Sequence, residues 1–359
     1  MQSTKILRAN TLTSLAAITV ITTAGACSSA SQPSDAPDAA SASEPIPRIA
    51  SDSLFVVNGA DSTITVIDTS TNHIAATIRL GNMMFPHHLY LSPDRSKLAL
   101  AVPGMDLSGG HEGGMPGMKG AVVVLNATTG VTLGTRVLDQ MNHNAVFSPS
   151  GTEIWTSQMA APGHVLVLDA VSLETLQSIP VGDQPAEVTF TSDGKLAFVA
   201  NGGSASVSVV EVATKSVIKT VMVGDDPVGA WQGSNGIAYV DNERSMTLSA
   251  IDTKTLEVRT TYSLGFMPGM AALAPDGSLW VTNADDGKLA IFMADQDMKM
   301  AEVSTGAGCH AIAFSGDGKT GYLTNQMGNT VSIVDVATMQ ILRTIDVGNK
   351  PNGMVWRGK

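Results

Sequence analysis

From residue 51 onward the chain is written in short runs that alternate apolar and polar positions, separated by Gly, Asp and Asn turns. Period-2 runs bounded by such turns predict half-buried strands rather than helices. The runs also recur. A strand ending in an acidic residue and a turn appears as VIDTST around Asp68, VLDAVS around Asp169, VEVATK around Glu211, AIDTKT around Asp252 and VDVATM around Asp335. Asn126 and Met293 hold the same place with the acid lost, and successive spacings are 58, 43, 42, 41, 41 and 42. After most of these marks comes Gly, then Pro three residues on: Gly182 and Pro185, Gly224 and Pro227, Gly265 and Pro268, Gly348 and Pro351. A period of about 42 residues with four short strands per unit predicts an all-β, seven-bladed β-propeller of four-stranded antiparallel blades. One blade cannot bury both faces alone, so blades must stack into a ring. The segment Pro351–Trp356 reads as a first strand with no blade of its own, whereas residues from about Ser53 read as a second strand. The ring is therefore expected to close by pairing the C-terminal strand with the N-terminal one, which removes an open edge.

The wording of the repeat resembles the YVTN-type β-propeller repeat family. The resemblance is carried by LSPDRSKLAL, TSDGKLAFVANGGSASVSVVEVAT and SGDGKTGYLTNQMGNTVSIVDVAT, and it covers residues 51–359. It implies the fold. It leaves function open, because that family includes binding proteins, surface proteins and domains related to cofactor enzymes. Lactonase-type propellers are similar as well, but no catalytic residue of theirs has a matching motif here.

Residues 1–26 change the picture of where the protein works. Lys5 and Arg8, a mildly apolar stretch from Leu12, and the small residues Ala24-Gly25-Ala26 read as an export signal. Cleavage before Cys27 resembles the bacterial lipoprotein arrangement, in which that cysteine is lipidated, although Ala24 stands where such signals favour Leu. The other reading is ordinary secretion with Cys27 as a passive first residue. Residues 27–50, rich in Ser, Ala, Pro and Asp, have nothing to bury and read as a solvated tether. The expectation is an exported protein at the periplasm or cell surface, held to a membrane through lipidated Cys27 only.

Composition narrows the partners. With 21 Lys+Arg against 32 Asp+Glu the net charge is −11, and loss of Lys5 and Arg8 takes it to −13. Nucleic acid needs a basic footprint, and none exists. Two cysteines cannot make a disulfide scaffold. Haem-attachment, Walker A, GxSxG, HExxH and EF-hand patterns are absent, so neither covalent haem nor a nucleotide site is expected. The chain is read as a monomer and as a binding protein more than an enzyme.

The candidate chemistry gathers at the loops entering the first strands. Aligned on the strand that follows, His87, His143, Ala186, Val228, Gly269, His310 and Asn352 are equivalent, followed by His88, Asn144, Glu187, Gly229, Met270, Ala311 and Gly353. Cys309 replaces the Pro of its repeat, and the one long spacing is an insertion, Gly104–Gly120, carrying Met105, His111, Glu112, Met115 and Met118. In a propeller these positions share one face, at the mouth of the central channel. Imidazole, thioether and thiol are borderline-to-soft ligands that favour copper. The sharp expectation is thus a copper site drawn from His87, His88, His143, His310, Cys309, Met105, His111, Met115 and Met118. The plainer one is a metal-free surface that docks an envelope protein or polymer, since Met is adaptable packing and a lone His needs no ion. A propeller hydrolase or oxidoreductase is the third.

Overall fold

The computed structural model describes residues 48–49, 52–109 and 117–358. The export signal, the tether up to residue 47, Cys27, His111, Glu112 and Met115 lie outside the described residues, while Ile49, assigned to the tether, is buried in the core because it packs with Phe55 and Leu98 and its amide donates to Thr128 O. Those described form seven four-stranded antiparallel sheets arranged as the blades of a propeller. Helix among them is confined to one 3₁₀ turn at Gly202–Ser204, and no helix is long and apolar enough to cross a membrane.

Blades are numbered here in chain order. Blade 1 is built from Ser53–Asn58, Thr63–Asp68 and His73–Arg79, with Pro351–Arg357 added on the inner edge. That C-terminal strand pairs with Ser53–Asn58 in antiparallel register, Leu54 opposite Trp356 and Val56 opposite Met354. The closure expected from the sequence is present.

Burial is graded across each blade. Second and third strands are almost wholly buried, as in Leu196–Asn201 and Ser206–Glu211 of blade 4, while the outermost strand Ser216–Met222 is mostly exposed. Large rings fill the space between neighbouring blades: Trp155 stands edge-on to Phe190 at 5.2 Å, and Trp280 to Phe314 at 5.0 Å.

The repeated words in the sequence each perform a structural task. The Asn that ends several second strands is buried and donates its amide to two hydroxyls of the third strand: Asn58 to Thr63 and Thr65, Asn201 to Ser206 and Ser208, Asn325 to Thr330 and Ser332. Glycine recurs because that Asn leaves no room beside it. A Cβ at Gly182 would lie 2.7 Å from Asn201 Cγ, and one at Gly348 would lie 2.5 Å from Asn58 Cγ. The Asp that closes four of the third strands caps its turn. Asp169 Oδ1 accepts from the Val171 and Ser172 amides, and Asn126 Oδ1 accepts from those of Thr128 and Thr129. This is the Asx-turn role, which explains why Asn can replace Asp there.

The inner strands carry the feature that positions the site. Register breaks between Pro185 and Val188, Pro227 and Ala230, Pro268 and Ala271, and Cys309 and Ile312. In the closing strand it breaks between Pro351 and Met354. In blades 2 and 3 the regular inner strand shortens to Leu89–Leu91 and Ala145–Phe147, and His87, His88, His143 and Asn144 take the equivalent place just before it. In blade 2 the Ala101 carbonyl accepts from His87 N and the Ala101 amide donates to His88 O, so two residues oppose one. Such bulges re-aim side chains and recur next to functional sites.

Candidate metal centre

These irregular positions bring together residues far apart in the chain. His87, His88 and His143 form one cluster in which one ring nitrogen from each lies within 4.8 Å of the others. All three are buried, at 2, 4 and 2% exposure. His87 Nε2 lies 3.2 Å from His143 Nε2. Two nitrogens bound to one tetrahedral ion at about 2.0–2.1 Å are separated by roughly 3.3 Å, so this pair is already spaced as ligands are.

The other edge of each ring is anchored. Glu187, on the bulge of blade 4, places Oε2 at 2.9 Å from His143 Nδ1 and 3.4 Å from His88 Nδ1. Its Oε1 accepts from the Asn144 side-chain amide at 2.7 Å and from the Tyr90 hydroxyl. Asn352, on the closing strand, meets His87 Nδ1 with its side-chain amide at 2.5 Å. Two imidazoles backed by a carboxylate and one by an amide leave the Nε2 edges as those that could ligate an ion. This is the outer-shell arrangement that orients metal-binding histidines.

The protonation states follow from these contacts. His143 Nδ1–H donates to Glu187, so its Nε2 carries a lone pair. Asn352 donates to His87 Nδ1, and His87 Nε2–H then donates to His143. The Asn352 Oδ1 has no hydrogen-bond partner. Turning that amide over would let it accept from His87 Nδ1–H and would free the His87 Nε2 lone pair as well. His88 Nε2 is buried and without a hydrogen-bond partner.

Glu187 supplies the negative charge. Burial alone pushes its pKa up, but the hydrogen bonds from His143 and His88 outweigh that and hold the carboxyl at about 2. Burial, and then the charge on Glu187, push the Tyr90 hydroxyl well above the usual tyrosine range, so it remains a donor. Trp231 packs at 5.8 Å from His88 and donates its indole N–H to buried Asp241 at 2.7 Å.

The remaining sequence candidates fall as follows. The His310 ring centre is 6.1 Å from that of His87 and 5.9 Å from that of His88. Its neighbour Cys309 packs with Trp280, Ile312 and Leu323 in an apolar cluster, and burial pushes its thiol up to about 12. Met105 and Met118 pack against Leu107, Met141 and Met159. The donors brought together are thus imidazole nitrogens. Glu187, Asn352 and Tyr90 are the residues that sequence reasoning left without a role. Glu187 and Asn352 were marked only by their alignment with the histidines, and Tyr90 by nothing.

A family model for the choice-of-anchor I domain matches residues 152–355, more than half of the chain. The chain belongs to the choice-of-anchor I domain family. Membership agrees with an exported or surface-associated protein. No curated protein matches it in sequence. Among solved structures, the Pseudomonas aeruginosa periplasmic gluconolactonase PpgL is similar, with a TM-score of 0.70 at 18% identity over 85% of this chain and 98% of that one. A putative 6-phosphogluconolactonase from Bacteroides fragilis gives 0.67 at 17% identity over 87 and 99%. Kuenenia stuttgartiensis hydrazine synthase gives 0.61 at 18% identity over 75 and 88%. At these identities the likeness is one of fold.

Proposed function

We propose that this choice-of-anchor I protein is an exported, surface-held propeller that binds a transition metal, copper foremost, through His87, His88 and His143. The observation that carries the reading is a cluster of three buried imidazoles with their Nδ1 edges anchored, in which the His87 and His143 Nε2 edges turn to one another. Imidazole suits copper, zinc, nickel and iron, and copper stands at the top of the divalent affinity order. Metal insertion between His87 and His143 moves the proton now on His87 Nε2 to Nδ1, where the turned Asn352 amide accepts it, so binding through this pair needs no net proton release. An ion held by His87 and His143 keeps coordination positions for water or substrate. That position, with the propeller gluconolactonases as fold neighbours, supports hydrolysis of a sugar lactone as a second reading.

Thermal denaturation of untagged protein tests the metal. A ligand that binds only the folded state stabilises it by about 2.7 kcal/mol at one hundred times Kd. Copper should raise the melting temperature, Mg²⁺ and Ca²⁺ should not, and the triple variant His87→Ala/His143→Ala/His310→Ala should lose the shift. A parent protein unmoved by copper and zinc would leave the metal-free docking surface as the better account. Anchoring is tested separately. Cys27→Ser should move the mature protein from the membrane to the soluble exported fraction, because the multiple acyl chains of a lipoprotein cysteine hold firmly where one chain does not. An unchanged distribution would refute lipidation.

A further inference from the structure

We infer that the histidine cluster holds two copper(I) ions side by side rather than one ion at its centre. The inference rests on the metal reading above and concerns how many ions the site takes. The lone pair of an imidazole lies in the plane of its ring, so a ligating histidine needs its ion close to that plane. His87 and His88 are stacked, with ring centres 4.4 Å apart and planes only 8° from parallel. Parallel planes never meet, and an ion in one plane lies out of reach of the lone pair in the other. Consecutive residues on one bulge cannot readily turn toward a common point, because both rings are already anchored on Asn352 and Glu187.

The contacts divide the rings into two pairs. His87 and His143 cross at 70° with Nε2 atoms 3.2 Å apart, which suits one ion between them. His88 spends Nδ1 on Glu187 and leaves Nε2 buried with no partner. The His310 ring centre lies 5.9 Å from that of His88, with the two planes at 68°. Two imidazoles sharing one ion through bonds of about 2.0–2.1 Å place their ring centres roughly 4.5–6 Å apart, so His88 and His310 suit a second ion. The separation of the stacked rings approaches the spacing of about 3.5–4 Å found between the ions of two-metal sites.

Charge selects the oxidation state. Glu187 places its carboxylate against two of these rings, and it is 1% exposed. Two divalent ions would bury four positive charges against it, and uncompensated buried charge is costly. Two copper(I) ions carry half that charge and accept as few as two imidazoles each.

Counting bound copper tests this directly. The full mature chain, carrying His73→Ala, His111→Ala and His164→Ala to remove the imidazoles outside the cluster, is titrated with copper(I) under anaerobic, reducing conditions. It is then desalted, and metal per chain is measured. Two copper ions per chain are expected, falling to one when His88→Ala is added, with circular dichroism checking the fold. The unsubstituted chain is measured alongside, so the count does not depend on any variant folding. One ion per chain before His88 is altered would overturn the paired arrangement while keeping the metal reading. Two ions retained in His88→Ala would overturn it as well, by placing the second ion elsewhere. No copper at all would mean that the metal reading itself fails.

Discussion

Deleting residues 351–359 is expected to abolish cooperative unfolding and to make the protein aggregate. The deletion removes the strand that pairs along Ser53–Asn58, and so leaves a buried, apolar strand with an open edge. Open edges of that kind template pairing with other chains. The loss extends beyond main-chain pairing. Arg357 donates to the Ala127 carbonyl and, at 2.8 Å, to the Ile49 carbonyl, and its guanidinium lies 5.5 Å from the centre of the Phe55 ring. The Asn352 carbonyl accepts from Thr324 in blade 7, and the Gly353 amide donates to the His87 carbonyl in blade 2. The closing strand is thus bonded to the blades on both sides as well as to its own. Copper binding should vanish with it, since Asn352 anchors His87. A truncated protein that melts in one transition at the parent's temperature would contradict the closure described here.

Replacing Glu187 by Ala should cost about 3–5 kcal/mol of stability, the range for removing one partner of a buried charged network. The carboxylate holds His143, His88, Asn144 and Tyr90 at once, and each would be left buried with an unmet hydrogen-bonding group. Metal affinity should fall about 10- to 100-fold, the usual effect of removing an outer-shell partner of a ligating histidine. Glu187→Gln keeps the shape and accepts hydrogen bonds at one atom, so it should recover much of the stability and less of the affinity. Denaturant unfolding and a copper titration of both variants read the two effects separately. An alanine variant within about 1 kcal/mol of the parent would show that the network does not hold the cluster.

The sequence made the ring legible because its signals are local and repeat. Gly182 beside Asn201, Gly348 beside Asn58 and the Asp169 turn cap are contacts dictated within a blade or at its edge. Seven copies of such words specify period and strand number. The histidines were legible for the same reason: His87, His143 and His310 fall at one place in the repeat, and the inner-strand irregularity there aims side chains alike.

What was not legible depends on distance across the channel and on the two sides of a strand. Glu187 matters because blade 4 faces blades 2 and 3, a relation that no spacing in the chain encodes. Cys309 sits beside His310 in sequence, yet it packs in the apolar cluster between blades 6 and 7. The Met105 and Met118 thioethers find Leu107, Met141 and Met159, a packing use of methionine that composition cannot tell from a ligating one. The stacking of His87 on His88 follows from the bulge, and strand patterns do not register bulges.

Anomalous diffraction from copper-loaded crystals, recorded on either side of the copper absorption edge, tests the central claim most directly. The account predicts scattering density at the cluster, with a peak at bonding distance from both His87 Nε2 and His143 Nε2, about 2.0–2.2 Å. Density confined to surface positions such as His73 or His164, with none at the buried cluster, would contradict it.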